Sequence, residues 1–140
     1  MALDNIFGIA GSALNAQTAR MNATASNLAN AGAVASTEAG AFRAKRTTFK
    51  TIMAQQLNSP EVNKGGVKVA GITDDPKPIS RMSDPGNPAA DKDGYVYLAN
   101  VNEMTEMVEM MAAARSYQNN VEVVNTARQL TLRTLDIIKN

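Results

Sequence analysis

The chain has 140 residues, which suits one domain of ordinary size, and its formal net charge is +1. This charge balance argues against a nucleic acid or an anionic membrane surface as a partner. The absence of cysteine and histidine excludes disulfide bonds, thiolate metal sites and catalytic sites of the Ser-His-Asp or Cys-His kind.

Residues 1–30 are predicted to form a long amphipathic helix. Its apolar and small residues recur at steps of four and three, in a stripe that contains Leu3, Phe7, Ala10, Leu14, Gln17, Met21, Thr24 and Leu28. A sustained seven-residue repeat is typical of helices that pack side by side. From Asn5 to Thr37 the only charged residue is Arg20, whereas a surface helix normally has a charged face. The pattern therefore favours contact with neighbours on several sides.

The first helix is predicted to end near Asn27, Asn30 and Gly32. Glycine accepts the left-handed backbone conformation that follows many helices, and asparagine side chains bind backbone groups near a helix end. Residues 33–40 are then expected to form a loop. The helix end and the loop separate the first helical unit from the middle of the chain.

Residues 31–100 are predicted to form a small β-rich unit with loops. Alternating residues indicate strands at 67–72 and 95–98, whereas residues 42–57 contain signals for both strand and helix. All five prolines lie in the second half of this unit or just before it, in segments dense with turn residues. Residues 91–94 resemble the start of a calcium loop but lack its later ligands, so we expect a turn there.

Residues 101–140 are predicted to form a second long helix, capped by Asn100 or Asn102. Its repeating stripe contains Met107, Met110, Ala114, Tyr117, Val121, Val124, Arg128, Thr131, Leu135 and Ile138. Glu103, Glu106 and Glu109 are expected to be solvated and to favour the positive end of the helix dipole. One polar side chain among residues 117–120, which include Asn120, could fix register in an apolar seam; the alternative is solvent exposure, which is expected for at least one of the two asparagines. The fold class is therefore α+β, with the two terminal helices packed as a coiled-coil-like pair.

A basic cluster precedes the predicted strands and contains Arg43, Lys45, Arg46 and Lys50. With phenylalanines nearby, such a cluster could bind single-stranded nucleic acid. A solvated face, or charge pairing with acidic neighbouring subunits, fits the overall charge balance better. We therefore expect no nucleic acid partner.

The chain contains no apolar segment long enough to span a membrane, and its N-terminus does not have the pattern of a secretory signal. No lysine or arginine occurs before Arg20, so the positive region of such a signal is missing. If the protein leaves the cytoplasm, we expect it to do so without a cleaved signal peptide.

Sequence motifs at both ends resemble those of the flagellar axial proteins, which form the rod, the hook and the hook–filament junction. The N-terminal motifs are residues 12–21 (SALNAQTARM) and 25–30 (ASNLAN); the C-terminal motifs are residues 100–102 (NVN), 106–107 (EM) and 115–127 (RSYQNNVEVVNTA). Residues 84–96 (DPGNPAADKDGYV) more narrowly resemble the proximal rod family of the FlgC type. The similarity covers nearly the whole chain.

The resemblance implies a structural subunit of the bacterial flagellar basal body. It implies that terminal helices build an inner tube, that the central unit faces outward, and that the flagellar type III apparatus exports the chain. The implied partners are other rod proteins, copies of the same chain, and the membrane-embedded base with its export apparatus. No enzyme activity and no cofactor are expected.

The assembly contacts are predicted to lie on the two terminal helices. The predicted interface contains Leu3, Phe7, Leu14, Met21, Asn27, Leu28, Asn30, Met107, Tyr117, Asn120, Val121, Val124, Leu135 and Ile138. Because short helices depend on packing, we expect residues 1–30 and 120–140 to be poorly ordered before assembly. The alternative is a cytoplasmic coiled-coil adaptor or chaperone that binds a partner helix.

Overall fold

The computed structural model of the protein describes residues 2–52 and 65–139, with two long helices around a small β-rich region. In chain order the elements are α1 (Ala2–Ala29), β1 (Val34–Ala35), β2 (Lys45–Thr51), β3 (Val67–Asp74), β4 (Arg81–Ser83), β5 (Tyr95–Leu98) and α2 (Glu103–Lys139). The predicted α+β class is confirmed. The division into units at residues 1–30, 31–100 and 101–140 stays a prediction.

Helices α1 and α2 pack against each other in antiparallel directions. Asn27, late in α1, binds Glu106 in the first turn of α2, whereas the earlier Arg20 binds the later Glu109. The helices contain 28 and 37 residues, and therefore measure about 42 Å and 55 Å at about 1.5 Å per residue. The predicted helical pair is confirmed.

Small residues form the seam between the two helices. The buried alanines of the helices are Ala10, Ala16, Ala23, Ala113 and Ala127. The stripe predicted for α2 differs in part from the face that is buried. Met107 and Val121 belong to the stripe but are exposed, whereas Glu106 and Ala113 are outside it and are buried. Among the described residues of the two predicted stripes, the large apolar side chains are half-buried or exposed, whereas these small alanines are buried.

Strands β2 and β3 form a two-stranded antiparallel ribbon that follows α1. The pairing runs from Lys45 opposite Asp74 to Thr51 opposite Val67, with an irregularity between Thr48 and Phe49. The seven residues of β2 span about 23 Å at roughly 3.3 Å per residue. Strand β2 resolves the ambiguity of residues 42–57 up to Thr51, while residues 53–57 lie outside the described residues.

Strands β1, β5 and β4 form a separate antiparallel sheet in that order. Strand β5 confirms the prediction for residues 95–98, whereas the short strands β1 and β4 were missed. The predicted turn before β5 is present: the Asp91 carboxylate accepts hydrogen bonds from the Asp93 and Tyr95 amides, and Gly94 has φ 78°. Aspartate and glycine therefore shape this loop.

Asparagine side chains near the helix ends bind main-chain groups, and they have different roles. Asn102 caps α2, because its Oδ1 accepts from the Thr105 amide at 2.9 Å. Asn100 instead binds the Ala44 amide at 2.7 Å. At the end of α1, Asn30 donates to the Ser26 carbonyl, but the expected left-handed conformation of Gly32 is wrong, because its φ is not positive.

Candidate assembly surface

Large apolar side chains are exposed at the end of the helix pair that contains the beginning of α1 and the end of α2. In α1 they are Ile6, Phe7 and Ile9, and in α2 they are Leu130, Leu132, Leu135 and Ile137. Ile137 is 77% exposed. Successive residues in a helix point about 100° apart, so the four residues of α2 lie on more than one side of that helix. We call these seven residues the distal apolar patch.

A second exposed apolar group lies near the beginning of α2. It contains Met104, Met107, Val108 and Met111, which we call the methionine stripe, and Met104 is 73% exposed. Their spacing places them on the face of α2 turned away from Ala113 and the seam. The same face continues with exposed polar residues, among them Arg115, Gln118, Glu122, Asn125 and Gln129. The apolar part of this face is therefore short.

The predicted interface residues fall into three groups in the single chain. Four are exposed: Phe7, Met107, Val121 and Leu135. Seven are half-buried: Leu14, Met21, Leu28, Asn30, Tyr117, Asn120 and Val124. Asn27 is fully buried within the chain, and the side chains of Leu3 and Ile138 lie outside the described residues. Nothing in the single chain tests whether these residues contact neighbours, so the interface stays a prediction.

Asn27 and Glu106 form the centre of a buried polar network at the other end of the helix pair. Both residues are 0% exposed. The Asn27 amide nitrogen donates to a Glu106 carboxylate oxygen at 2.8 Å and to the Lys45 carbonyl at 3.0 Å, and Asn27 Oδ1 accepts from the Lys45 amide at 2.7 Å. All the hydrogen-bonding groups of this amide are therefore used.

Arg46 extends the network from the ribbon to two carboxylates. Its Nη1 donates to Glu106 at 2.8 Å, and its Nε donates to Asp75 at 3.1 Å. Burial opposes the charge on Arg46, but the bonds to both carboxylates outweigh it and raise the pKa of Arg46. A hydrogen bond from the Lys77 amide, and then the bond from Arg46, hold the pKa of buried Asp75 below its ordinary value. The whole network therefore favours the charged forms of both groups.

Two sequence-based expectations about charges are wrong. Glu106 is not solvated but fully buried, and Glu109 pairs with Arg20 at 2.5 Å. Members of the basic cluster also pair within the chain. Arg46 binds the buried carboxylates of Asp75 and Glu106, whereas Arg43 and Lys45 form partly exposed pairs with Glu38 and Asp74. For the pair of Arg20 and Glu109, the sequence signal was that Arg20 is the only charged residue between Asn5 and Thr37.

A cleft of about 530 Å³ lies where α1, β2 and α2 meet. Its walls include Arg20, Lys45, Arg46, Asp75 and Glu109, all of which form ion pairs. Within the described ranges 2–52 and 65–139, no cluster of three or more acidic residues is arranged to hold a metal ion. In the same ranges neither helix is long and apolar enough to cross a membrane.

Two family models match the helical ends of the chain. Residues 7–33 match the model for flagella basal body rod proteins, and residues 92–137 match the model for the C-terminal part of the flagellar basal body rod proteins FlgE, FlgF and FlgG. The matched segments contain both Asn27 and Glu106 of the buried network.

Similar proteins extend over nearly the full length of the chain. The flagellar basal-body rod protein FlgC of Yersinia enterocolitica is 50% identical over 137 residues, which cover 98% of both chains. FlgC of Escherichia coli O6:H1 is 48% identical over the same length and share of both chains. FlgC of Buchnera aphidicola from Baizongia pistaciae is 34% identical over 142 residues, again 98% of both chains.

Proposed function

The chain belongs to the FlgC family of flagellar basal-body rod proteins and is a structural subunit of the rod, and we propose that its two terminal helices assemble it there. The family is one of structural proteins, not of enzymes. Membership also favours the rod subunit over the alternative of a cytoplasmic coiled-coil adaptor or chaperone.

The exposed apolar residues on α1 and α2 are the observation that carries this proposal. The seam between the helices is filled by alanines, so the pair leaves the distal apolar patch and the methionine stripe open to other molecules. Exposed apolar groups of this extent mark surfaces that become buried on association. Methionine suits such a surface because its flexible side chain fills irregular gaps between helices.

Heterologous packing is the proposed mode of assembly. The distal apolar patch and the methionine stripe are different surfaces at different positions along the helix pair. When one surface of a subunit meets a different surface on the next, growth stays open and produces a helical array. In such an array many packed helices would share the torque that a drive shaft transmits. We assign the chain to the proximal part of this shaft.

The rod protein resides in the flagellar basal body and assembles with other rod components. The finer partners are proposals: copies of the same chain, and the membrane-embedded base with its export apparatus. Export through the flagellar type III apparatus, without a cleaved signal peptide, is also part of the proposal and rests on membership of the rod family.

Substitution of Val121 tests the role of the helices. Val121 is partly exposed on α2, so Val121→Asp should leave the isolated chain folded, but assembly would bury an unpaired carboxylate. We expect the variant to be missing from purified basal bodies and to abolish swimming. Circular dichroism of the purified variant checks that the helices are retained.

Asn125→Asp is the matched control, because it adds the same charge at an exposed polar position of the same helix. This variant should enter the basal body at the wild-type level. Normal incorporation of Val121→Asp would contradict the placement of the interface on α2.

A further inference from the structure

The root of the β2–β3 ribbon is bound by residues from three separate parts of the chain. Asn27 of α1 binds both main-chain groups of Lys45, where β2 begins. Asp75, directly after β3, donates its amide to the Ala44 carbonyl at 2.8 Å and accepts from Arg46. Both strands of the ribbon are therefore held at the same end, beside the first turn of α2.

The far half of the ribbon meets the first half of α1 through β3, in which Val67, Val69 and Gly71 are half-buried, and β2 is outermost there. Residues Thr48, Phe49, Lys50 and Thr51 are all exposed. The one hydrogen bond that the structure shows between this half of the ribbon and α1 runs from the Val67 amide to Ser12 Oγ, at 3.1 Å. A two-stranded ribbon is marginally stable by itself, so its direction depends on what fixes it to the helices.

We infer that Asn27, Arg46 and Glu106 are positioning residues, which fix the direction in which the ribbon runs along α1. Apolar contacts are non-directional, whereas hydrogen bonds require particular angles between their groups. The Arg46 guanidinium is planar and donates at fixed angles to Glu106 on α2 and to Asp75 after β3. The Asn27 amide sets the orientation of Lys45 against α1 in the same way.

The position of the network makes its geometry important for the whole ribbon. A change of about 10° at the root would move the far end of the strand by roughly 4 Å, over a strand length of about 23 Å. If the proposed helical assembly is correct, every subunit must present its ribbon in one direction, because equivalent contacts repeat along the rod. This consequence rests on the proposed function, whereas the positioning role does not.

Distances between spin labels in the isolated full-length chain test the positioning role. The chain has no cysteine, so cysteines introduced at Lys50 and Gln118, both exposed, carry the labels without interference. The variant combines Asn27→Ala, Arg46→Met and Glu106→Met, which removes the three positioning side chains together. Asp75 loses its bond from Arg46 but keeps the hydrogen bond from the Lys77 amide at 3.0 Å. We expect the distance distribution between ribbon and α2 to broaden by several ångströms.

Two controls separate this role from a general loss of structure. A label pair at Asn15 and Gln118 reports on the helices alone and should keep its wild-type distribution in the same variant. The combination Arg20→Met with Glu109→Met removes an ion pair between the helices outside the network, and should leave both distributions unchanged. A narrow, wild-type ribbon distance in the folded network variant would overturn the proposal.

Arg46→Lys decides the matter if the triple variant does not fold. Lysine keeps the charge but lacks the planar fork that reaches both carboxylates. We expect a broadened ribbon distance with the helix distance unchanged, and an unchanged ribbon distance would overturn the positioning role. Swimming tests the consequence separately: broad distances with normal swimming would show that the rod does not need one ribbon direction.

Discussion

The two ends of the helix pair are stabilised by different kinds of contact. At the end formed by the last turns of α1 and the first turns of α2, Asn27 and Glu106 are buried and are bound by groups of the same chain. At the opposite end, the distal apolar patch remains exposed around Ala10 and Ala127, which are the buried residues of the seam there. The polar network of the first end is complete in a single chain, although the methionine stripe on the outer face of α2 is exposed there. The opposite end exposes apolar residues of both helices.

This difference separates the contacts that specify the fold from the surface that we propose for assembly. A buried polar network is costly unless every member is satisfied, and it therefore selects one geometry. Exposed apolar groups do not select one geometry by themselves, but their burial against any well-packed neighbour is favourable. The chain thus combines a defined internal arrangement with a surface suited to association.

Among the changes that test this comparison, removal of the Glu106 carboxylate is expected to lower the stability of the chain most. Glu106→Ala removes one of the two acceptors of the buried Asn27 amide and one partner of Arg46, at a cost of about 3 kcal/mol. Urea unfolding of the isolated chain measures this loss.

Glu109→Ala is the matched variant one turn further along α2. It breaks a pair with Arg20 in which both side chains are about one-third exposed, so it should cost less than about 1 kcal/mol. Equal losses of unfolding free energy in the two variants would show that the buried network contributes no more to stability than the partly exposed ion pair.

Hydrogen exchange of the isolated chain sharpens the comparison along each helix. We expect amides in residues 5–12 and 130–137 to exchange at least roughly tenfold faster than those in residues 20–28 and 106–113, because local opening is easiest where buried contacts are few. The sequence predicted fast exchange throughout residues 1–30; the network at Asn27 restricts this expectation to the first part of α1. Uniform protection along both helices would contradict the distinction between the two ends.

Acidification should produce the smallest effect, through Asp75. The pKa of this carboxyl is lower in the folded chain than in the unfolded chain, so the folded form binds fewer protons at mildly acidic pH. Its contribution is complete above about pH 5 and is lost as the pH falls through an ordinary aspartate pKa of about 3.9 toward the lower folded value. Unfolding midpoints measured across this range should fall more steeply for the wild type than for Asp75→Asn. Identical profiles would contradict a stabilising role for the charged form.

The sequence predicted several local elements because their signals are short in range. The repeats of the terminal segments indicated two long helices, Asp91 and Gly94 indicated a turn, and alternation indicated β3 and β5. The two-residue strand β1 and the three-residue strand β4 were missed because they are too short for a periodic signal. Both strands pair with β5, which is distant in sequence, so no local pattern indicates this pairing.

By itself, the sequence determined the α+β class, the two terminal helices and the family resemblance that the relatives bear out. Only the tertiary structure decided which face of each helix is buried, because Met107 and Glu106 are adjacent in sequence but differ completely in exposure. It also decided that Glu106 is a buried acceptor, since its donors, Asn27 and Arg46, come from distant parts of the chain. Helical periodicity reports which side chains share a face, but it does not report which polar groups from elsewhere will meet them.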